Sequence, residues 1–203
     1  MLSLARNIPA SKVDTRAGKW PRINGITLQE KTVGIIGLGA VGKAVAERLL
    51  GFQVKLLAYE PYPDLTFAKE HFVELLSLNE VLRQSDFITL HLPLLPTTKG
   101  LVDSLFLSKM KKGAYLVNTA RGELISETAL FEALQSGHLA GAALDVFTKE
   151  PPDPTNPLIQ LPQVIVTPHS GAHTDGATNT MGWIALNDCL SVLEGKEPQY
   201  RVI

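Results

Sequence analysis

The sequence contains a single cysteine, Cys189, and no long apolar run. One cysteine cannot form an internal disulfide, and its place in a helical pattern favours a buried thiol. No apolar stretch approaches the roughly 20 residues that a membrane-spanning helix needs. The first ten residues, with Arg6 and Pro9 inside a short apolar stretch, lack the order typical of a secretory signal. We therefore expect a cytoplasmic protein without a membrane partner.

An excess of charge of one sign is also missing. The formal net charge is −1, from 19 basic and 20 acidic residues, and no basic run is present. Nothing in this balance attracts a nucleic acid, so we expect no such partner. Internal repeats and low-complexity tracts are absent as well. A chain of 203 residues suits one large domain, or one domain with appendages.

Apolar, β-branched runs alternate with helical patterns along most of the chain. Predicted strands cover Thr32–Ile36, Val54–Tyr59, Phe72–Leu75, Phe87–His91, Ala114–Asn118, Ala140–Val146 and Val164–Thr167. Predicted helices cover Ala40–Leu50, Leu78–Gln84, Ser104–Met110 and Ser126–Gln135. Strands that are apolar on both faces and separated by helices indicate a parallel sheet covered on both sides. We predict a doubly wound α/β fold of the Rossmann type, with its ligand at the carboxyl ends of the strands.

The two ends of the chain depart from this alternation. Residues 1–25 are predicted to form a helical start followed by an irregular arm that contains Trp20. Residues 174–193 are predicted to form one long helix with a polar tail after it. The stretch Glu150–Pro162 is predicted to be a loop, since its prolines exclude a regular helix or an interior strand.

A Gly-x-Gly-x-x-Gly turn joins the first predicted strand to the helix Ala40–Leu50. Gly37 permits the tight turn, Gly39 lets the backbone approach a pyrophosphate, and Gly42 lets the helix pack closely on the strand. The helix then points its free N–H groups and positive dipole end at the phosphates. The alternative is a glycine-rich turn in another kind of α/β protein.

The second predicted strand, Val54–Tyr59, ends at Glu60. An acidic residue roughly 20 positions beyond the glycines is where a carboxylate accepts the hydroxyls of the adenosine ribose. Pro61 and Tyr62 follow, so neither position offers an arginine to a 2′-phosphate, which the carboxylate itself would repel. These residues favour NAD over NADP.

Three polar residues follow the last three predicted strands at their carboxyl ends, namely Arg121, Glu150 and His169. The fold brings such strand ends to one edge of the sheet, beside a bound dinucleotide. Each residue also has a structural interpretation, because an arginine is commonly a solvated charge, a glutamate can begin a turn and a histidine can cap a loop. Their occurrence after three successive strands favours a shared site.

A guanidinium, a carboxylate and an imidazole together suit the interconversion of a hydroxyl and a carbonyl. Arg121 is predicted to hold a substrate carboxylate by paired hydrogen bonds and to polarise the adjacent carbonyl. His169 is predicted to exchange the hydroxyl proton. Glu150 is predicted to orient the imidazole ring and to favour its charged form.

These residues lie in stretches that resemble the D-2-hydroxyacid dehydrogenase family, and most of all its D-3-phosphoglycerate dehydrogenase branch. The matching stretches are Gly34–Gly42 (GIIGLGAVG), His91–Pro96 (HLPLLP), Val117–Gly122 (VNTARG), Ala143–Phe147 (ALDVF), Glu150–Pro152 (EPP) and Thr167–His169 (TPH). The likeness implies the roles given above for Arg121, Glu150 and His169. It also implies cofactor contacts at Ala40, Val41, Glu60, Pro93, Thr98, Thr119, Ala120, Arg121, Asp145, His169 and Gly171.

The resemblance also implies an organisation and partners for the chain. Residues 1–173 correspond to an NAD-binding domain, including the arm 1–25, while residues 174–203 would pack on a substrate domain that we expect to be absent here. The implied partners are a 2-hydroxy or 2-keto acid substrate and a second copy of the chain, reached by the arm around Trp20. Without a closing domain, we expect NAD binding with little turnover.

Two other functions fit parts of the pattern. Some relatives look like NAD-sensing corepressors, a binding role that keeps the glycines and Glu60 but does not require Arg121, Glu150 and His169. A formate dehydrogenase-like enzyme is ranked lower, because other residues are expected where Glu150 and its prolines stand. His169 and His173 have a spacing that suits a metal only on a helix, which Pro168 opposes, so no metal site is predicted.

Overall fold

Seven parallel strands form one sheet in the order β3-β2-β1-β4-β5-β6-β7. The strands are β1 (Thr32–Ile36), β2 (Lys55–Tyr59), β3 (Val73–Leu75), β4 (Phe87–Leu90), β5 (Ala114–Asn118), β6 (Leu139–Leu144) and β7 (Val164–Val166). The chain first moves outward from β1 and then returns to place β4 on the other side of β1. Ligands of doubly wound sheets bind outside the carboxyl ends of the strands at such a reversal. The predicted fold class is confirmed.

Nine α-helices accompany the sheet in the computed structural model, which describes residues 1–201. The helices are α1 (Leu2–Ala5), α2 (Ile8–Arg16), α3 (Ala40–Leu49), α4 (Leu65–Glu70), α5 (Leu78–Gln84), α6 (Ser104–Lys109), α7 (Glu127–Gln135), α8 (Pro157–Gln160) and α9 (Asp175–Leu193). The chain forms two compact units, Met1–Pro168 and the residues from His169 onward. All seven strands belong to the first unit.

The central strands are buried on both faces, which explains their near-continuous apolar sequence. Every residue of β4 is buried, and Phe87 stacks on Tyr115 of the neighbouring strand with ring centroids 4.9 Å apart. Two apolar clusters occupy the two faces of the sheet. Side-chain caps fix several helix starts, such as Ser126, whose hydroxyl accepts from the N–H of Ala129 at the start of α7. The two apolar clusters and the capped helices together hold the carboxyl ends of β4, β5 and β6 in fixed positions relative to one another.

Two helices of the first unit differ from the sequence-based expectation. The short helix α8 lies inside the stretch predicted to be a loop, with Pro157 in its first turn, where the missing N–H costs no hydrogen bond. The helix α4 was not predicted, and it begins at a cap in which Asp64 accepts from the N–H of Phe67. Both helices have at most six residues, fewer than two turns, so they are too short to show a clear apolar periodicity.

The second unit consists of a turn region and the long helix α9, as predicted. Thr174 caps this helix, since its hydroxyl accepts from the N–H of Ala177 at 3.1 Å. Cys189 is exposed on α9, so the predicted buried thiol is wrong. Among residues 1–201, no helix combines the length and the apolar character required to span a lipid bilayer.

Candidate cofactor and catalytic site

The glycine turn between β1 and α3 has the close packing that its motif requires. Gly37 has a φ of +95°, and a Cβ there would lie 2.6 Å from the carbonyl oxygen of His91. A Cβ on Gly42 would overlap with the carbonyl oxygen of Gly37. Only glycine therefore lets α3 begin directly against the end of β1.

Gly39 differs from these two glycines, because it faces open space. A Cβ at this position would meet no atom within 4 Å. Gly39 is also the N-cap of α3, and no side chain caps the helix. The first N–H groups of α3 and its positive dipole end thus adjoin free volume, an arrangement that suits the pyrophosphate of a dinucleotide.

The carboxylate of Glu60, at the end of β2, lies against the same turn. Its Oε2 accepts from the N–H of Leu38 at 2.9 Å, and its Oε1 accepts from the N–H of Tyr62 at 3.2 Å. These two hydrogen bonds fix a negative charge beside the glycine turn. A carboxylate held there accepts hydroxyl groups of a ribose and repels a 2′-phosphate.

A cavity of about 470 Å³ extends from the start of α3 across the ends of β4 and β5. Its walls are Val41, His91, Leu92, Pro93, Leu94, Thr119, Ala120 and Arg121. The structure therefore brings Val41 of the glycine-turn helix together with other predicted cofactor contacts and with the candidate catalytic arginine. Thr98, another predicted contact, instead donates its hydroxyl to the carbonyl of Pro93 at 2.7 Å and stabilises the loop after β4.

His91 lines this cavity, although the sequence pattern assigned it no chemistry. Burial lowers the pKa of His91 to about 4. Its Nε2 lies 3.0 Å from the hydroxyl oxygen of Thr89, which anchors the ring. The imidazole is therefore neutral at pH 7, and among the described residues that line the cavity only Arg121 has a charged side chain.

Asn118, the last residue of β5, shapes the turn that carries Arg121. Its buried side chain accepts from the N–H of Ala120 at 3.0 Å and donates to the carbonyl of Arg121 at 2.8 Å. The guanidinium of Arg121 donates to the carbonyl of Ala120 at 2.6 Å and remains exposed. The role of Asn118 was not predicted, although an asparagine at the end of a strand is a typical turn signal.

Asp145 and Glu150 follow β6. Asp145 is 6% exposed, and its carboxylate accepts a hydrogen bond from the hydroxyl of Thr167, which follows β7. Glu150 lies on the exposed loop beyond, where its Oε1 accepts from the N–H of Phe147 at 3.1 Å. The ends of β5, β6 and β7 are neighbours, so Arg121, Asp145 and Glu150 emerge from adjacent strands at one edge of the sheet.

His169 and Gly171 belong to the second unit, where they are described by themselves. His169 has a φ of +50°, a left-handed backbone conformation that is uncommon for residues other than glycine and clusters at functional positions. The turn after it is closed by the N–H of His173, which donates to the carbonyl of Ser170 at 2.9 Å. Within the described part of the chain, no group of three or more His, Cys, Asp or Glu side chains is arranged to hold a metal ion.

Comparisons with known proteins identify the family of this domain. The family described as D-isomer specific 2-hydroxyacid dehydrogenase, NAD binding domain, matches residues 1–171. D-3-phosphoglycerate dehydrogenase from Methanocaldococcus jannaschii is 44% identical over 199 residues, which is 97% of this chain and 38% of that enzyme. The chain therefore spans little more than a third of the length of this curated relative.

Solved structures also resemble this chain over its whole length while extending beyond it. The TT0316 protein from Thermus thermophilus has a TM-score of 0.90 and 39% identity, covering 100% of this chain and 65% of that one. D-lactate dehydrogenase with NAD+ from Lactobacillus jensenii has a TM-score of 0.87 and 31% identity, with coverage of 100% and 65%. NAD is thus the cofactor of this domain. The chain belongs to the D-isomer specific 2-hydroxyacid dehydrogenase family, as its NAD-binding domain.

Proposed function

We propose that this chain serves NAD-dependent hydride transfer between a D-2-hydroxy acid and the corresponding 2-keto acid. The name of the relative from Methanocaldococcus jannaschii favours 3-phosphoglycerate as the hydroxy acid. One observation carries the proposal: Arg121 and the start of α3 line the same cavity of about 470 Å³. A guanidinium in that position can hold a substrate carboxylate next to a dinucleotide whose phosphates lie at the glycine turn.

NAD, when bound, accepts or supplies the hydride. The residues that hold it are Ala40 and Val41 at the phosphates, Glu60 at the ribose and Pro93, Thr119 and Asp145 farther along the sheet edge. Asp145 is suited to the carboxamide of the nicotinamide, because it is buried and already fixed by the hydroxyl of Thr167. Thr98, Ala120, His169 and Gly171 complete the proposed contacts.

The remaining chemistry is assigned to three side chains. Arg121 binds the carboxylate of the substrate bidentately and polarises its carbonyl, which orients the reacting carbon. His169 accepts the hydroxyl proton during oxidation and returns it during reduction. Glu150 orients the imidazole of His169 and stabilises its protonated form. A general acid–base residue of this kind contributes about 10²–10⁴ in rate.

NAD binding and catalytic turnover have different structural requirements. The residues proposed to bind NAD lie mainly at the glycine turn and along the cavity, so we expect NAD binding to need no further domain. Turnover also requires a site that closes and excludes water. We expect the 203 residues by themselves to bind NADH and to reduce 2-keto acids slowly or not at all.

Fluorescence titration with NADH and NADPH tests the proposed cofactor binding, and assays with several 2-keto acids test the proposed turnover. We expect saturable NADH binding, much weaker NADPH binding and little turnover. Any turnover should fall at least about a hundredfold in His169→Asn while the NADH Kd stays within about threefold. Failure to bind NADH would refute the cofactor assignment, and rapid turnover would refute the expected dependence on closure. An NADH-driven assembly that survives in His169→Asn would point to a corepressor-like sensor.

We further propose that the chain forms a homodimer through its N-terminal arm. Trp20 is 78% exposed in the single chain, and Ile8 and Val13 on α2 are exposed as well. Large apolar side chains that are exposed in a single chain are candidates for burial against a partner. Sedimentation should show a dimer for the wild type and a monomer for Trp20→Ala, and a dimer in both would overturn the assignment.

A cytoplasmic location is proposed on the basis of the single cysteine.

A further inference from the structure

The loop between β6 and α8 carries Glu150 but has little regular structure of its own. Residues 148–150 are exposed, and the side chain of Glu150 reaches back to the N–H of Phe147. A catalytic carboxylate on an exposed loop needs an anchor, because a displacement of about 1 Å can cost a hundredfold in rate.

Glu127, the first residue of α7, supplies two such anchors. Its Oε1 accepts from the N–H of Thr148 at 3.0 Å. Its Oε2 accepts from the side-chain amide of Asn156 at 2.7 Å. Thr148 and Asn156 lie on either side of Glu150 in the sequence, so a single carboxylate holds both ends of the segment that contains it.

Glu127 and Asn156 are themselves held in place by the helices that they begin. Ser126 caps α7 immediately before Glu127, and the N-terminus of the helix favours a negative charge at this position. Asn156 caps α8, since its Oδ1 accepts from the N–H of Leu158 at 3.0 Å. Glu127 thus joins the starts of two helices across the loop.

The same loop also contacts the turn after β5. A Cβ on Gly122 would overlap with the backbone of Phe147 and Thr148, so the two chain segments pack backbone against backbone. Gly122 directly follows Arg121, and Glu127 follows on the same segment. The contacts at Gly122 and Glu127 therefore determine where Glu150 stands relative to Arg121.

We propose that Glu127 is a positioning residue, which holds the Glu150 loop in register with the Arg121 turn through Thr148 and Asn156. Its importance for the reaction rests on the proposed role of Glu150. Its carboxylate touches no reacting atom, and it acts only through the hydrogen bonds to the loop. Substitution of Glu127 should displace the carboxylate of Glu150 without changing the rest of the sheet.

Amide hydrogen exchange and amide proton shifts of the 203-residue chain, measured by NMR, test this role. In Glu127→Ala, the amides of Phe147 and Thr148 should exchange roughly tenfold faster or more, because both lose fixed acceptors. The amide of Leu116 in β5 should be unchanged. Glu127→Gln keeps one carbonyl oxygen and should restore part of the protection, whereas Glu132→Ala, on the exposed face of the same helix, should have no effect.

The signal of the Phe147 amide reports the position of Glu150 directly. Glu150→Ala should shift it in the same direction as Glu127→Ala, since both remove the carboxylate from the N–H of Phe147. If Glu127→Ala leaves this amide unchanged while Glu150→Ala shifts it, Glu127 does not position the loop. If both variants shift it but Glu150→Gln oxidises NADH at the slow wild-type rate, measured with saturating 2-keto acid in long incubations at high protein concentration, the positioning stands and the proposed role of Glu150 fails.

Discussion

The N–H of Leu38 donates to Glu60 Oε2 over 2.9 Å, which joins the glycine turn after β1 to the residue that ends β2. The bond shows that Glu60 stabilises the turn, in addition to the ribose contact that we propose for it. Because these contacts hold the carboxylate of Glu60 in place, its charge is available for the adenosine ribose contact that we propose.

Substitution of Glu60 should therefore weaken NADH binding and reduce the preference for NADH over NADPH. Glu60→Ala removes the acceptor for the ribose and the charge that repels a 2′-phosphate. We expect the NADH Kd to rise by about tenfold or more, as for the loss of a hydrogen bond to a charged group. Fluorescence titration with both cofactors measures the change. Glu70→Ala, an exposed carboxylate on α4, should leave both constants unchanged.

Gly39→Ala should affect binding much more than folding. The new Cβ meets no protein atom within 4 Å, so the free energy of unfolding should change by less than about 1 kcal/mol. The methyl group would instead occupy the space into which the pyrophosphate fits, and the NADH Kd should rise about tenfold or more. Unimpaired NADH binding by this variant would show that the phosphates lie elsewhere.

Gly42→Ala should reduce the stability of the fold, unlike Gly39→Ala. Its Cβ would overlap with the carbonyl oxygen of Gly37, so α3 must move away from the end of β1. Overpacking of this kind costs about 1–3 kcal/mol, which urea unfolding can measure. A variant as stable as the wild type would contradict the close packing of the helix on the turn.

Asp86 should contribute to stability in a pH-dependent manner. Burial raises its pKa, but hydrogen bonds from Lys111 and from the N–H of Thr32 outweigh this and hold the pKa of Asp86 below its ordinary value of 3.8. The contribution is therefore present above pH 3.8 and is lost as the pH falls through the lower, folded-state pKa. Asp86→Asn should lower the free energy of unfolding by about 1–2 kcal/mol at pH 7.

The difference in the free energy of unfolding between Asp86→Asn and the wild type should become smaller in acid. Urea unfolding at several pH values between 7 and about 2 provides the measurement. A difference that stays constant over this range would mean that the ionised carboxylate of Asp86 adds nothing to stability.

His91 should make the protein sensitive to mild acid. Burial lowers its pKa from 6.5 to about 4, so the unfolded chain binds a proton over this range while the folded chain does not. Stability should fall as the pH drops from 6.5 toward 4, by up to about 3 kcal/mol. His91→Gln, which cannot titrate, should show a flatter dependence of unfolding free energy on pH. Parallel curves for the two proteins would contradict the neutral, buried state of the ring.

The fold could be predicted from the sequence because its determinants are local. Buried parallel strands such as β4 are apolar throughout, and the helices between them begin at recognisable caps such as Ser77 and Ser126. The glycine turn and Glu60 were found by spacing, since the contacts of this motif follow a fixed order along the chain. Strand ends were less accurate, as at β6, because the hydrogen bonds that end a strand depend on its neighbours.

What the sequence did not reveal depends on contacts between distant segments. Nothing around Glu127 indicates that it binds Thr148 and Asn156, because its acidic side chain in a first helical turn is explained by the helix alone. The neutral state of His91 likewise depends on burial. Cys189 was wrongly predicted to be buried, since an apolar helical pattern does not show which of its faces are covered.

The missing side chain at Gly122 has a consequence for engineering this family. Because the loops after β5 and β6 touch main chain to main chain at Gly122, no side chain at this position can adjust to a foreign partner. A chimera that imports only one of the two loops from another dehydrogenase would therefore inherit a steric mismatch at the junction. Successful grafts of substrate preference onto this scaffold should transplant both loops together.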